Sequence, residues 1–403
     1  MVGIAALHPP YIIMIDHPAS QSLPYWRLSS FYFFYFAVVG SLTPYWGVYL
    51  KSLGYSSQDV GFITAIILGT RIIAPNFWGW LADKTQQRLR IIRQGSAIAC
   101  IFFSGVLISN NYAWLVLVIS CYTFFWHAVL PQFEVITLSY LGNHYKRYGQ
   151  IRLWGSIGFM VAVIGLGLLF DFLPIRFLPL SILSFLLLIF LSSLSLKAIS
   201  IQKATEPSEG FLSLVSQPAI ICFLLASFLL QLSHGPYYTF YSLYLQEHYH
   251  YTSTSTGLLW ALGVLAEVAI FLVMPKIMHR FDVRNLLLVT FLVTAFRWYL
   301  IGYGANWLPV LLFAQLLHAI SFGVAHAASI EIVRSHFKGA HQGQGQALYS
   351  SLSFGAGGAV GALVGGLLWD HSASFTFLVA SLSSLGAFVI AFFGLHLNKS
   401  PAV

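Results

Sequence analysis

Apolar residues run through this chain in long blocks, and polar residues are confined to short gaps between them. Twelve blocks stand out, near residues 27–50, 58–82, 92–109, 112–140, 151–171, 176–197, 217–245, 254–277, 285–303, 306–333, 343–369 and 373–396. A helix crossing roughly 30 Å of hydrocarbon needs about 20 residues, whereas a barrel strand needs only about ten. The pattern therefore predicts an all-α membrane protein of twelve transmembrane helices. The longest polar connection, 198–216, holds Lys203, Glu206, Pro207, Glu209 and Gly210. It reads as a cytoplasmic linker between an N-terminal six-helix half, 27–197, and a C-terminal half, 217–396. Residues 1–26 carry Pro9, Pro10, Pro18 and Pro24, with no basic region before the short apolar run. They read as a cytoplasmic tail, not a cleaved signal, and 397–403 as a second tail.

Composition strengthens this reading. Only 8% of the 403 residues are charged, against about 25% in an ordinary soluble domain. The net charge of +8 does not form one basic patch, so nucleic acid is excluded as a partner. Instead the basic residues sort by loop. Lys84, Arg88, Arg90 and Arg93 lie in the second loop, Lys146 and Arg147 in the fourth, and Lys203 in the linker. Lys276, Arg280 and Arg284 lie in the eighth loop, and Arg334 and Lys338 in the tenth. The odd-numbered loops have only Lys51 and Arg176. An excess of Lys and Arg marks the cytoplasmic side, which predicts both termini in the cytoplasm of a cell whose inner membrane holds the protein. Cys100, Cys121 and Cys222 fall inside predicted spans, with neither disulfide nor metal spacing.

The halves repeat. Gly61 matches Gly257, 196 positions on, and Gly149-Gln150 matches Gly345-Gln346 at the same offset. The repeat predicts two pseudo-symmetric halves around a central cavity, with substrate expected near the midplane between them. The same offset sets Arg71 against Glu267, and the expectation is that both line that cavity.

Ionisable residues inside spans are expensive and point to function. His127 and Glu134 are seven residues apart and share a helix face. Arg152, just inside the next span, is the nearest partner in sequence for Glu134. Arg71, Arg152 and Arg297 suit a carboxylate ligand, because the guanidinium fork matches it; internal pairing with Glu134, Glu267 or Glu331 is the competing use. Glu267 shares a face with Trp260 and is a candidate proton carrier with Glu134. His318 and His326, in one span, are candidates for substrate contact and proton relay respectively. Tyr238 and Tyr241 are candidate binding-wall residues beside Gly235-Pro236. No phosphate loop, nucleophile elbow or metal constellation is present, so no metal and no cofactor other than the coupling proton is expected.

Several segments carry a family resemblance. Gly79-Trp80-Leu81-Ala82-Asp83-Lys84 with Arg88 resembles the loop 2–3 motif of the major facilitator superfamily, although Gln86 stands where the family has Gly. The resemblance gives Asp83, Lys84 and Arg88 a gating role. Tyr148-Gly149-Gln150-Ile151-Arg152-Leu153-Trp154-Gly155-Ser156, Gly257 to Glu267, Phe296-Arg297-Trp298 and Leu317-His318 with His326 are similar to the 3-phenylpropionate transporter family. That family is related to lactose and nucleoside proton symporters. The Glu134–Arg152 spacing also resembles the sugar-binding acid–base pair of lactose permease, but Ser321 stands where that permease has an acid. The resemblance implies proton-coupled uptake of a small organic solute by alternating access, with an aromatic or other monocarboxylic acid as first choice. A sugar or nucleoside symporter, or an exporter of a drug or siderophore, is the alternative on the same fold. A membrane enzyme or sensor is the remote one. The expected partners are a small-molecule substrate and membrane lipid, with a monomeric chain.

Overall fold

The computed structural model describes residues 23–197, 210–339 and 341–396. Twelve helices there are long and apolar enough to cross a membrane. In the N-terminal half they are α1 (Tyr25–Ser52), α2 (Ser57–Thr85), α3 (Arg88–Leu107), α4 (Tyr112–Leu141), α5 (Tyr148–Phe172) and α6 (Ile175–Leu194). In the C-terminal half they are α7 (Pro218–His248), α8 (Ser253–Arg280), α9 (Val283–Gly304), α10 (Leu308–His336), α11 (His341–Trp369) and α12 (Ala373–Gly394). Each agrees with the hydropathy pattern to within a few residues. Most of the proposed tail, residues 1–22, and residues 198–209 of the proposed linker lie outside the described residues. The linker's far end is partly helical, over Phe211–Val215, and Phe211 packs on Phe337 at 5.6 Å between ring centres.

Helix starts follow local chemistry. Ser56 and Asp59 form a reciprocal capping box ahead of α2, so two end N–H groups that lipid could not satisfy are satisfied by side chains. Thr252, Asp282 and Ser372 cap α8, α9 and α12 with their side-chain oxygens. α2 stops at Gln86, which adopts left-handed geometry with φ 55°. That conformation is why a Gly suits the position in the family motif. Here the Gln86 amide instead donates to the Asp83 carbonyl at 2.6 Å.

Packing is the same in both halves. α1 lies against α5 and α6, α2 against α4, and α3 against α4 and α6. Correspondingly, α7 lies against α11 and α12, α8 against α10, and α9 against α10 and α12. The halves meet along α2–α11, α5–α8 and α1–α7. Small residues let these helices approach. A Cβ at Gly61 would lie 2.7 Å from the Ala362 carbonyl, and one at Gly257 would lie 2.5 Å from that of Val163. The repeat partners Gly61 and Gly257 thus close two of these seams, α2–α11 and α5–α8, at the end bearing the odd-numbered loops.

Candidate functional site

Among the described residues the principal cavity, of about 260 Å³, lies between the halves. α1, α2, α4 and α5 face α10 and α11 across it. Its apolar wall includes Tyr35, Phe36, Trp126, Phe322 and Phe354, and its polar wall includes Arg71, His127, Glu134, Arg152, His326 and Gln346. Ser350, also on its wall, is exposed, so the cavity reaches toward the end of the even-numbered loops.

His127 and Glu134 face the cavity from α4, as their spacing predicts. Arg152 Nε lies 4.0 Å from Glu134 Oε1, and Tyr148 donates to the same oxygen at 3.3 Å. The Arg152 guanidinium sits over the Phe36 ring, 3.9 Å from its centre. A cation on an aromatic face is held by the ring quadrupole. Gly155 makes room for it, since a Cβ there would lie 2.6 Å from Arg152 Nη1. That Nη1 is buried and has no hydrogen-bond partner among the described residues. Arg71 donates to His127 Nε2 at 3.4 Å, and His127 Nδ1 faces Thr70 Oγ1 at 3.0 Å. An accepting Nε2 leaves the proton of a neutral imidazole on Nδ1, directed at Thr70.

The C-terminal half encloses its charged groups. Glu267 is 0% exposed, and its Oε2 lies 3.6 Å from His318 Nε2. Arg297 is also 0% exposed. It donates to the Ala314 carbonyl at 2.9 Å, to Ser321 Oγ at 3.2 Å and to Gln315 Oε1 at 3.3 Å. Its guanidinium lies over the rings of Tyr237 and Trp298. Gln315 is the hub: it also accepts from Tyr237 at 3.0 Å and donates to Tyr241 at 2.6 Å. Beside this network is a space of about 10 Å³ lined by Tyr237, Tyr238, Trp260 and His318, no larger than one water needs. Tyr238 and Arg71 both line a further space of about 40 Å³.

The structure places several of the sequence candidates away from the principal cavity. Arg297 and Tyr241 are not on the principal cavity; neutral oxygens and Gln315 hold them inside the C-terminal half. Trp260 and His318 face the small space, and the Trp260 indole donates to Ser242 Oγ at 2.9 Å. Arg71 and Glu267, matched by the repeat, do not share a wall. Arg71 reaches the cavity, while Glu267 has His318 within its own half. Glu331 is not a partner for a buried arginine either, because Arg334 takes it at 2.6 Å. His318 and His326 lie two turns apart on one helix face, with the Phe322 ring stacked between them at 5.4 and 6.2 Å between ring centres, along the π turn over Ala319–Val324. The wider turn brings residues four and eight apart into line, and of the two imidazoles only His326, the one further along the helix, reaches the principal cavity.

At the even-loop end, Arg88 contacts both Asp83 and Gln132, and Lys84 lies over Trp80 at 5.1 Å. These contacts of Asp83, Lys84 and Arg88 all remain in the N-terminal half. Trp126, Phe322, Phe354, Gln346 and Gly155 are cavity features that sequence patterning does not single out as site residues. The Gly345-Gln346 repeat is the one signal in the chain, since it marks the same helix entrance as Gly149-Gln150.

Comparison with known proteins gives a consistent picture. The model of the family described as MFS_1 like family matches residues 25–379. The chain is 29% identical over 370 residues to a probable 3-phenylpropionic acid transporter of Escherichia coli (strain K12), covering 88% of this chain and 94% of that one. It is 26% identical over 358 residues to a maltose permease of Geobacillus stearothermophilus, covering 86% and 89%. The crystal structure of the nucleoside transporter NupG superposes with a TM-score of 0.80 at 17% identity, covering 93% of this chain and all of that one.

Proposed function

Because the chain belongs to the MFS_1-like family and is a multi-pass transporter of the major facilitator type rather than an enzyme, we propose that it is a proton-coupled symporter of an aromatic or other monocarboxylic acid. The observation that carries this is Arg152. It is a buried guanidinium facing the cavity with an unengaged Nη1, set among aromatic rings. A carboxylate would take that donor, and a ring would stack against Trp126, Phe322 or Phe354. Arg71 supplies a second positive charge to the same cavity, and His326 an imidazole from the opposite half.

Glu134 gives a way to couple the proton. As a carboxylate it competes with an anionic substrate for Arg152; once protonated, it releases the guanidinium. Glu267 with His318 is the second acidic group placed to carry a proton, inside the C-terminal half. The relative named for 3-phenylpropionic acid supports the substrate class, and the loop charges support a cell-membrane protein with cytoplasmic termini. With that orientation the cavity faces the cytoplasm in this structure. The chain works as a monomer, with protons as its coupling ion and no metal.

A second reading, a neutral sugar or nucleoside, is favoured by one feature. Glu134, Gln346 and Ser350 offer hydroxyl partners in the same cavity, and relatives include the maltose permease. Binding to the purified protein decides between them. 3-Phenylpropionate, maltose and uridine are titrated against wild type and Arg152→Gln. Saturable 3-phenylpropionate binding that Arg152→Gln removes supports the first reading; saturable binding of maltose or uridine alone replaces it with the second.

A further inference from the structure

The odd-loop end holds two aspartates that reach across the seam between halves. Asp171, in the last turn of α5, accepts from the backbone N–H of Ser253 at 2.7 Å and of Thr254 at 3.3 Å. Those are the first residues of α8. Asp370, just past α11, accepts from Ser57 Oγ at 2.5 Å, and Ser57 is the first residue of α2. Ser57 and Ser253 are related by the same 196-residue offset as the glycines. Each aspartate ends the helix that packs on the one it touches, so the two contacts are related by the pseudo-twofold axis. We propose that Asp171 and Asp370 are paired latches that hold the odd-loop end shut, and that the Asp171 latch is the stronger.

The asymmetry comes from what each helix start already has. The α2 start carries its own carboxylate, Asp59, which closes the capping box with Ser56. Asp370 therefore reaches only a hydroxyl, and Lys51 donates to that same Ser57 Oγ at 3.1 Å. At α8 the residue in the Asp59 position is Ser255, whose N–H goes to Thr252 Oγ1. There is no acid in the first turn of α8. The N–H groups of Ser253 and Thr254 point outward along the helix axis, where an anion is favoured by both the free donors and the helix dipole. Asp171 supplies that anion from the other half. Opening this end withdraws it, and the N–H groups of Ser253 and Thr254 then have only solvent; opening the other seam leaves the Ser56–Asp59 capping box of α2 in place.

The latch is read by distance rather than by transport, so it is independent of the substrate assigned above. Spin labels are placed at Arg176→Cys and Asn306→Cys, exposed on odd-numbered loops of opposite halves, with Cys100, Cys121 and Cys222 replaced by Ala. Double electron–electron resonance then reports the separation of the halves at that end. Asp171→Asn should raise the long-distance population roughly fivefold, as loss of an exposed charge-assisted contact allows; Asp370→Asn should raise it less. Ser253→Pro tests the same contact from its other side. It deletes the donor at the first helical position, where proline is well tolerated, and the preceding Thr252 already has extended geometry. It should raise the same population, by less than Asp171→Asn because the Thr254 N–H still reaches Asp171, and the double variant should not exceed Asp171→Asn. Unchanged distances in Asp171→Asn and Ser253→Pro, or a larger effect from Asp370→Asn, overturn the proposal. If Asp171→Asn does not fold, Ser253→Pro alone decides.

Discussion

Each half of the molecule carries arginine, glutamate and histidine inside its spans, and the two halves treat them differently. In the N-terminal half, Arg71, His127, Glu134 and Arg152 all reach the principal cavity. In the C-terminal half, Arg297 and Glu267 are wholly buried, and Arg297 is held by a carbonyl, a hydroxyl and an amide oxygen. The repeat therefore preserves the helix packing but not the exposure of its charges. A guanidinium with a donor left over can take a ligand. One whose donors are engaged by neutral oxygens keeps its charge and fixes its neighbours. On the function proposed above, ligand recognition falls mainly to the N-terminal half, and the enclosed C-terminal set suits an event that needs no bulky visitor, such as protonation.

The largest expected effect breaks the N-terminal side of this contrast. Arg152→Gln should weaken 3-phenylpropionate binding by about 100-fold, the scale of removing one partner of a buried charge-assisted contact. Arg152→Lys should not restore it, because an ammonium lacks the planar fork and the stacking on Phe36. Titration calorimetry of the three proteins checks both statements, and near-wild-type binding by either variant would remove Arg152 from the site.

Next in size is the C-terminal acid. Glu267→Gln should lower accumulation of substrate against its gradient to about the equilibrated level while leaving counterflow exchange measurable. Glu134→Gln serves as the comparison in the same vesicles. If Glu267→Gln still accumulates substrate and Glu134→Gln does not, the coupling proton belongs to the N-terminal half.

Arg297→Gln should behave as a packing lesion. Removing it leaves Gln315 and Ser321 short of a donor inside a network that also holds Tyr237 and Tyr241. Thermal unfolding in detergent should fall by several degrees, while ligand affinity of the protein that remains folded changes by less than about threefold. A loss of affinity without a loss of stability would return Arg297 to the binding site.

Much of this architecture is readable in the chain. Long apolar blocks dictate spanning helices because lipid leaves the backbone no other partner, and loop charge supplies their alternation. His127 and Glu134 are legible because a spacing of seven fixes a shared face whatever the surroundings. Arg297 is not, because a buried arginine looks the same in sequence whether carboxylates, neutral oxygens or a ligand take its donors. The π turn between His318 and His326 also leaves no mark that periodicity could detect, and it lines the two imidazoles up on either side of Phe322. Trp126, Phe322 and Phe354 are hidden by abundance: in a chain with 16% aromatic residues, no single ring stands out until the helices are assembled.

The smallest expected effect is the most direct test of how far the repeat can be trusted. Arg71 and Glu267 correspond by offset, and register alone predicts that they couple across the axis. Their surroundings predict otherwise. Arg71 donates to His127 and lines the cavity, whereas Glu267 faces His318 behind the wall of the C-terminal half. Their named contacts lie in opposite halves, and groups that act through separate contacts usually contribute additively, to within about 0.5 kcal/mol. Arg71→Ala and Glu267→Ala should therefore each slow transport, and the double variant should show the product of the two fold-reductions in initial uptake rate. A double variant clearly faster than that product would mean the two charges meet in another state of the cycle. The contrast between an open N-terminal set and an enclosed C-terminal set would then describe one conformation rather than a division of labour between the halves.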